Sequence, residues 1–189
     1  MSWSLEVFSP NEQHAQSDEL ETCLREAALK NPEMFGLVEG GDLRVVFRVE
    51  DDPQNQDSAQ TWVLSRTGPD KTSSLGFVQM QRFDEETRQD PKLLETLEHE
   101  IEETDEEDGD TDHEYSKRVQ AVLESAKWHY IVWVGKNDRP THQKMVLQTA
   151  YVLSKMSGGI VHDLQSGAWM DAEIFESLLD AYVVEDVAR

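Results

Sequence analysis

The run Trp128-His129-Tyr130-Ile131-Val132-Trp133-Val134 decides the fold. It is apolar or aromatic at both alternate sets of positions, which is the pattern of a central strand covered on each side. Such a strand needs partners in a sheet and a layer on each face. The flanking sequence offers both. Upstream, Tyr115, Val119, Val122, Leu123 and Ala126 recur at helical spacing. Downstream, Gly135 to Pro140 is an exit loop, and Thr141 is the expected cap of a long helix carrying Met145, Val146, Thr149, Val152, Leu153 and Met156. Gly158-Gly159 stops that helix. Ile160, Val161 and Leu164 then predict a short strand, Ser166-Gly167 a turn, and Asp171 the start of a last helix using Ile174, Phe175, Leu178 and Tyr182. The C-terminal part therefore reads β-α-β-α.

The N-terminal part is richer in strand signals. Trp3, Leu5 and Val7 alternate with polar residues, as a short first strand would. Asp18 with Glu21 can cap a helix built on Leu20, Leu24 and Ala27, and Asn31-Pro32 would end it. After the Gly40-Gly41 turn, Leu43, Val45, Phe47 and Val49 alternate with mostly charged residues. Thr61 to Arg66 and Leu75 to Arg82 predict two more strands around Gly68-Pro69-Asp70, hence an antiparallel meander. The expected fold class is α+β, a single domain with a mixed or antiparallel sheet, helices packed on it and an acidic loop around residues 102–114. Within residues 1–189, the β-rich half covers 1–83, the acidic helix and loop 84–114, and the α/β half 115–189.

Charge narrows the function classes. The chain has 189 residues, with 17 Lys plus Arg against 39 Asp plus Glu, a formal net charge of −22. A chain so acidic repels a polyanion, which disfavours direct nucleic-acid binding. Residues 84–114 hold sixteen acids and two basic residues, Arg88 and Lys92. Asp90-Pro91 can open a helix with Leu93, Leu94, Leu97 and Ile101, beyond which Glu102 to Glu114 is expected to be a solvated loop. Such a tract steers a basic partner to the surface and raises association rates; its bland alternative is a solubilising loop. Residues Asp108 to Glu114 alternate carboxylates but place His113 where a calcium-binding EF-hand needs Gly.

Met1 to Pro10 has no basic n-region and no long apolar run, and no stretch approaches the 18 apolar residues of a membrane helix, so a cytoplasmic location without membrane contact is expected. Cys23 is the only cysteine and lies in an acidic helical setting that would raise its pKa, which points to a partly buried structural residue. No metal or cofactor is expected, because His99 and His113 lack a histidine partner at helical spacing. His129 and His162 fall on strands predicted to be neighbours, and Asp163 follows directly, so a His/Asp cluster at the sheet edge is conceivable. Neither a Gly-x-Ser-x-Gly serine nor a phosphate loop accompanies them. The polar loop Lys136-Asn137-Asp138-Arg139 lies at the carboxyl end of the best strand, where ligands bind in many α/β sheets. Trp62, Trp128 and Trp133 are expected in the core, whereas Trp169 follows a turn in which a bulky ring is harder to cover.

The segment Ala150-Tyr151-Val152-Leu153-Ser154-Lys155-Met156, then Gly158-Gly159-Ile160-Val161-His162-Asp163 and Ser166-Gly167-Ala168-Trp169, resembles a recurrent segment of small bacterial α+β domains. Some of these are immunity proteins encoded beside polymorphic or type VI secreted toxins. The resemblance covers about a quarter of the chain and carries no catalytic residue. Immunity proteins against nucleases are typically small, cytosolic and acidic. What the resemblance and the charge imply together is a non-enzymatic protein that neutralises a basic protein toxin, a nuclease first, by occluding its active site. The expected contact residues are Glu102, Glu103, Asp105, Glu106, Glu107, Asp108, Asp110 and Asp112, with Trp169 as an aromatic anchor. Two other readings are a small enzyme or ligand-binding domain using loop 136–139 with His129 and His162, and an adaptor or chaperone for a secreted effector.

Overall fold

The computed structural model describes residues 4–30, 46–51, 60–67, 72–85, 112–134 and 140–178. Seven strands form one sheet: β1 (Ser4–Ser9), β2 (Val46–Asp51), β3 (Gln60–Thr67), β4 (Thr72–Arg82), β5 (Trp128–Trp133), β6 (Ile160–Asp163) and β7 (Trp169–Met170). Their order is β2-β3-β4-β5-β1-β6-β7, and every pairing is antiparallel. Among the described residues three helices accompany them, α1 (Ser17–Lys30), α2 (Asp112–Ser125) and α3 (Pro140–Ser157), with a further helical stretch over 172–178. This is a single α+β domain. The expected meander is present as β2-β3-β4, with a register shift between Leu64 and Ser65.

Strand β5 occupies the middle of the sheet, as its two-sided apolar run requires. The N-terminal strand is the less expected neighbour. Strand β1 slots between β5 and β6, so both of its faces are covered: Leu5 and Val7 on one side, Glu6 and Phe8 on the other, all at most 8 % exposed. Alternation of apolar and polar residues predicts a strand with one wet face; here long-range pairing buries the second face too.

The larger core lies on one side. Leu5, Val7, Trp62, Leu64, Val78, Met80, Tyr130, Val132 and Val161 meet Leu20 and Leu24 of α1 and Met145, Val146, Ala150 and Leu153 of α3. Residues 145–154 of α3 are buried without a break, as in a helix enclosed on several sides. The smaller core lies on the other side, where Phe8, Phe83, Ile160 and Trp169 meet Val119 and Leu123 of α2.

Helix ends differ from expectation by a residue or more. Helix α1 starts at Ser17, the Gln16 carbonyl accepting the first helical bond from Leu20 N–H at 3.0 Å, so Asp18 sits inside the first turn rather than before it. Acids there are favoured by the helix dipole. Helix α3 begins at Pro140, not after a Thr141 cap; proline suits the first helical position, where an N–H has no partner. Helix α2 begins at Asp112, so the last three residues of the predicted loop 102–114 are helical; acids in a first turn favour this start.

The end of α3 is as expected and shows why two glycines are needed. Gly158 adopts φ +61°, and Gly159 N–H bonds the Ser154 carbonyl at 3.1 Å, closing a Schellman cap. A Cβ on Gly159 would run into the carbonyl oxygen of Phe8. The cap thus presses directly on β1. Strand β6 ends at Asp163, and Leu164 turns outward at 46 % exposure rather than extending the strand. Asp171 caps the last helix as expected, its Oδ1 accepting from the N–H groups of Glu173 at 3.0 Å and Ile174 at 2.9 Å. Phe175 is buried, but Ile174 and Leu178 are 41 % and 39 % exposed, because only one narrow stripe of this stretch faces the core.

Candidate functional site

A carboxylate held between two histidines lies inside the face of the sheet under α2. Glu6 projects from the middle of β1, directly opposite His162 of β6, and His129 of β5 stands opposite Phe8, two positions along. Period-2 alternation places Glu6, Phe8, His129, Ile160 and His162 on this one face. Glu6 Oε2 lies 3.2 Å from His162 Nδ1, and Oε1 lies 3.2 Å from His129 Nε2. A carboxylate only accepts, so the ring nitrogens facing it carry the hydrogens. The other nitrogen of His129, Nδ1, is 3.0 Å from the side-chain amide nitrogen of Gln81 on β4, which donates to it. The His162 contact has hydrogen-bond geometry, whereas His129 Nε2 meets the carboxylate as a close charge contact.

Aromatic rings close the cluster. Phe8 stacks on His129 at 4.6 Å between centroids, and Trp169 stacks on His162 at 4.2 Å. Phe83 meets Phe8 edge-on at 5.4 Å, and Trp169 leans on Phe8 at 5.8 Å. Glu6, His129 and His162 are 8 %, 4 % and 1 % exposed. Burial by itself would push the Glu6 carboxyl up. The hydrogen bonds and charge of the two imidazoles outweigh it and hold the group well below the ordinary 4.5, at about 2. The carboxylate is therefore ionised inside the fold.

This arrangement corrects the expected one. His129 and His162 do converge, but not on neighbouring strands and not at the sheet edge: β1 runs between them, and the acid they share is Glu6. Asp163 points the other way and organises the following turn, accepting from Gln165 N–H at 3.0 Å and Ser166 Oγ at 2.9 Å. Adjacent residues in a strand face opposite sides, so Asp163 could not have joined His162. Glu6 carried no signal of its own, since a charged residue in an alternating strand reads as solvent-facing. Trp169 is not left uncovered by its turn; it pairs with His162 across β6 and β7 and is 6 % exposed, so its ring offers no anchor at the surface.

The remaining candidates are placed as follows. Glu102, Glu103, Asp105, Glu106, Glu107, Asp108 and Asp110 lie outside the described residues, as do loop 136–139 and the predicted helix after Asp90, whereas Asp112 is the first residue of α2. The Cys23 thiol is pushed up by burial and by Glu26 and Glu19. Among the described residues no group of three or more His, Cys, Asp and Glu is arranged to hold a metal ion. In the cluster each Glu6 oxygen faces its own ring, so the three side chains do not converge on one point. Among the described residues no helix is long and apolar enough to cross a membrane. No protein-family model, curated protein or solved structure matches the chain.

Proposed function

We propose that this chain is an immunity-type binding protein that captures a basic secreted toxin, a nuclease first, and occludes its active site. The observation that carries the reading is the distribution of charge: −22 over 189 residues, with sixteen acids against two basic residues in 84–114. A potential of that density attracts the Lys- and Arg-lined groove of a protein that itself binds a polyanion. The contact set is Glu102, Glu103, Asp105, Glu106, Glu107, Asp108, Asp110 and Asp112, and Trp169 serves by holding the sheet face rather than by touching the partner. Glu6, His129 and His162 are closed over by Phe8, Phe83 and Trp169, so this reading gives them a structural part and asks no catalysis of them. A nuclease target implies action in the cytoplasm.

The test is a pull-down with the tagged full chain from its native lysate, at low salt and at roughly 0.5 M, where exposed charges are strongly screened. One stoichiometric basic partner is expected, retained better at low salt, whose toxicity or nuclease activity disappears on adding this protein. Changing four of the acids to Asn or Gln should slow association and flatten its salt dependence. Recovery of a small molecule or metal in place of a protein would favour the ligand-binding reading, and unchanged binding by the four-residue variant would remove the acidic stretch from the interface.

A further inference from the structure

The two buried imidazoles are part of the seat of α2. Phe8 and Trp169, which stack on His129 and His162, belong with Val119 and Leu123 of α2 to one apolar cluster. A change of charge on either ring therefore acts directly beneath the helix. The carboxylate contributes one negative charge. One proton added to the pair of rings makes the unit neutral. A second leaves two imidazolium ions on one carboxylate, a net positive charge where water cannot screen it. At His129 the second proton also meets a donor: Nδ1 would then carry N–H against the Gln81 amide nitrogen, and the amide must turn over.

Among the described side chains, the charged groups on the surrounding elements are exposed or engaged elsewhere. On α2, Val119 and Leu123 face the cluster, while Lys117, Arg118 and Glu124 are exposed and Arg118 pairs with Asp171 at 3.0 Å. On β4 the facing group is the uncharged Gln81, and Arg82 lies over the Trp128 ring. On β7 it is Trp169, and Asp163 at the end of β6 is held by Gln165 and Ser166. On β1 the neighbours of Glu6 on this face are Ser4 and Phe8.

We propose that Glu6, His129 and His162 form a proton-operated latch for α2: the helix is held while the two imidazoles share at most one proton, and a second proton releases it. Among the described residues the larger core on the opposite face holds no such cluster, so it is expected to stay closed. The latch does not depend on what the chain binds.

Hydrogen exchange of the full-length protein at about pH 7.5 and about pH 5.5, corrected for intrinsic rates, tests it across the range where imidazoles titrate. Protection of residues 112–125 should fall about tenfold or more at the lower pH, while α3 keeps its protection. The H129Q and H162Q variants should lose the pH response of α2. Equal protection of α2 at both values, or loss of α2 and α3 in step, would overturn the latch, as would an unaltered response in both variants. If a variant does not fold, the wild type decides: the α2 amide signals must shift with the titration of the His129 and His162 ring protons. A change in α2 at a pH where neither ring titrates would equally overturn the proposal.

Discussion

The two faces of this sheet are built by different rules. On one, α1 and α3 cover Leu5, Val7, Trp62, Leu64, Val78, Met80, Tyr130, Val132 and Val161, and a principal polar group, the Tyr130 hydroxyl, accepts the Ala15 N–H at 2.9 Å. Burial pushes that phenol up, so it stays protonated over the working range of pH. On the other, α2 covers Phe8, Ile160 and Trp169 around an ionised carboxylate and two imidazoles. Area removed from water stabilises both faces. Only the second makes part of its stability conditional on protonation, because removing a partner from a buried charge costs more than the pair itself contributes.

That contrast can be broken by substitution. Truncation of Phe8 to Ala should have the largest effect, about 3–5 kcal/mol, since it opens a cavity and strips both the stack on His129 and the edge contact with Phe83. Urea denaturation measures it, and a loss below about 1 kcal/mol would mean that the face can collapse around the gap.

Glu6→Gln should follow, at roughly 3 kcal/mol near neutral pH. Its sign is fixed by the depressed pKa. A carboxyl held at about 2 in the fold, against 4.5 ordinarily, contributes stability that is present above 4.5 and lost as pH falls towards 2. The gap between wild type and variant should therefore close across that window. A gap independent of pH would assign the effect to packing. This acid window shares its imidazoles with the α2 seat and lies below the range in which α2 exchanges faster, so it is read from urea denaturation of the whole fold.

Asp171→Ala is expected to cost about 1–2 kcal/mol, because Asp171 both caps the last helix and pairs with Arg118 of α2. Faster exchange confined to 172–178 and the middle of α2 would localise it. The smallest effect belongs to the apolar face: Tyr130→Phe should cost about 1 kcal/mol by leaving the Ala15 N–H without its acceptor. It should be the same at every pH between about 5 and 8, which is the sharpest contrast with Glu6→Gln.

Much of the architecture was legible in residue order. The seven apolar or aromatic residues from Trp128 to Val134 predict the central strand, the alternation from Leu43 to Val49 with the runs 61–66 and 75–82 around Gly68-Pro69-Asp70 predicts the meander, and Gly158-Gly159 predicts the end of α3. Each of these is a local signal, in which neighbours along the chain fix the outcome. The cluster was half legible. His129 and His162 pair in residue order because both fall on strands predicted to be neighbours, but the acid between them is Glu6 of the first strand and not Asp163. Glu6 and His162 are brought together by a pairing between the two ends of the chain, for which a lone glutamate in an alternating strand gives no sign.

What residue order determined by itself is the menu: strands where period 2 holds, helices where period 3.6 holds, a glycine stop, and a charge of −22 of which residues 84–114, with sixteen acids and two bases, hold fourteen. Those properties depend on local sterics and on composition, so they survive without knowledge of the fold. Only the tertiary structure decided that β1 lies between β5 and β6, and with it everything that makes the second face unusual. The physical reason is that burial of a charge belongs to an assembly. Glu6 is tolerable inside the sheet because two imidazoles from distant strands face its two oxygens and three aromatic rings exclude water from them, and none of those five partners except Phe8 is near it along the chain.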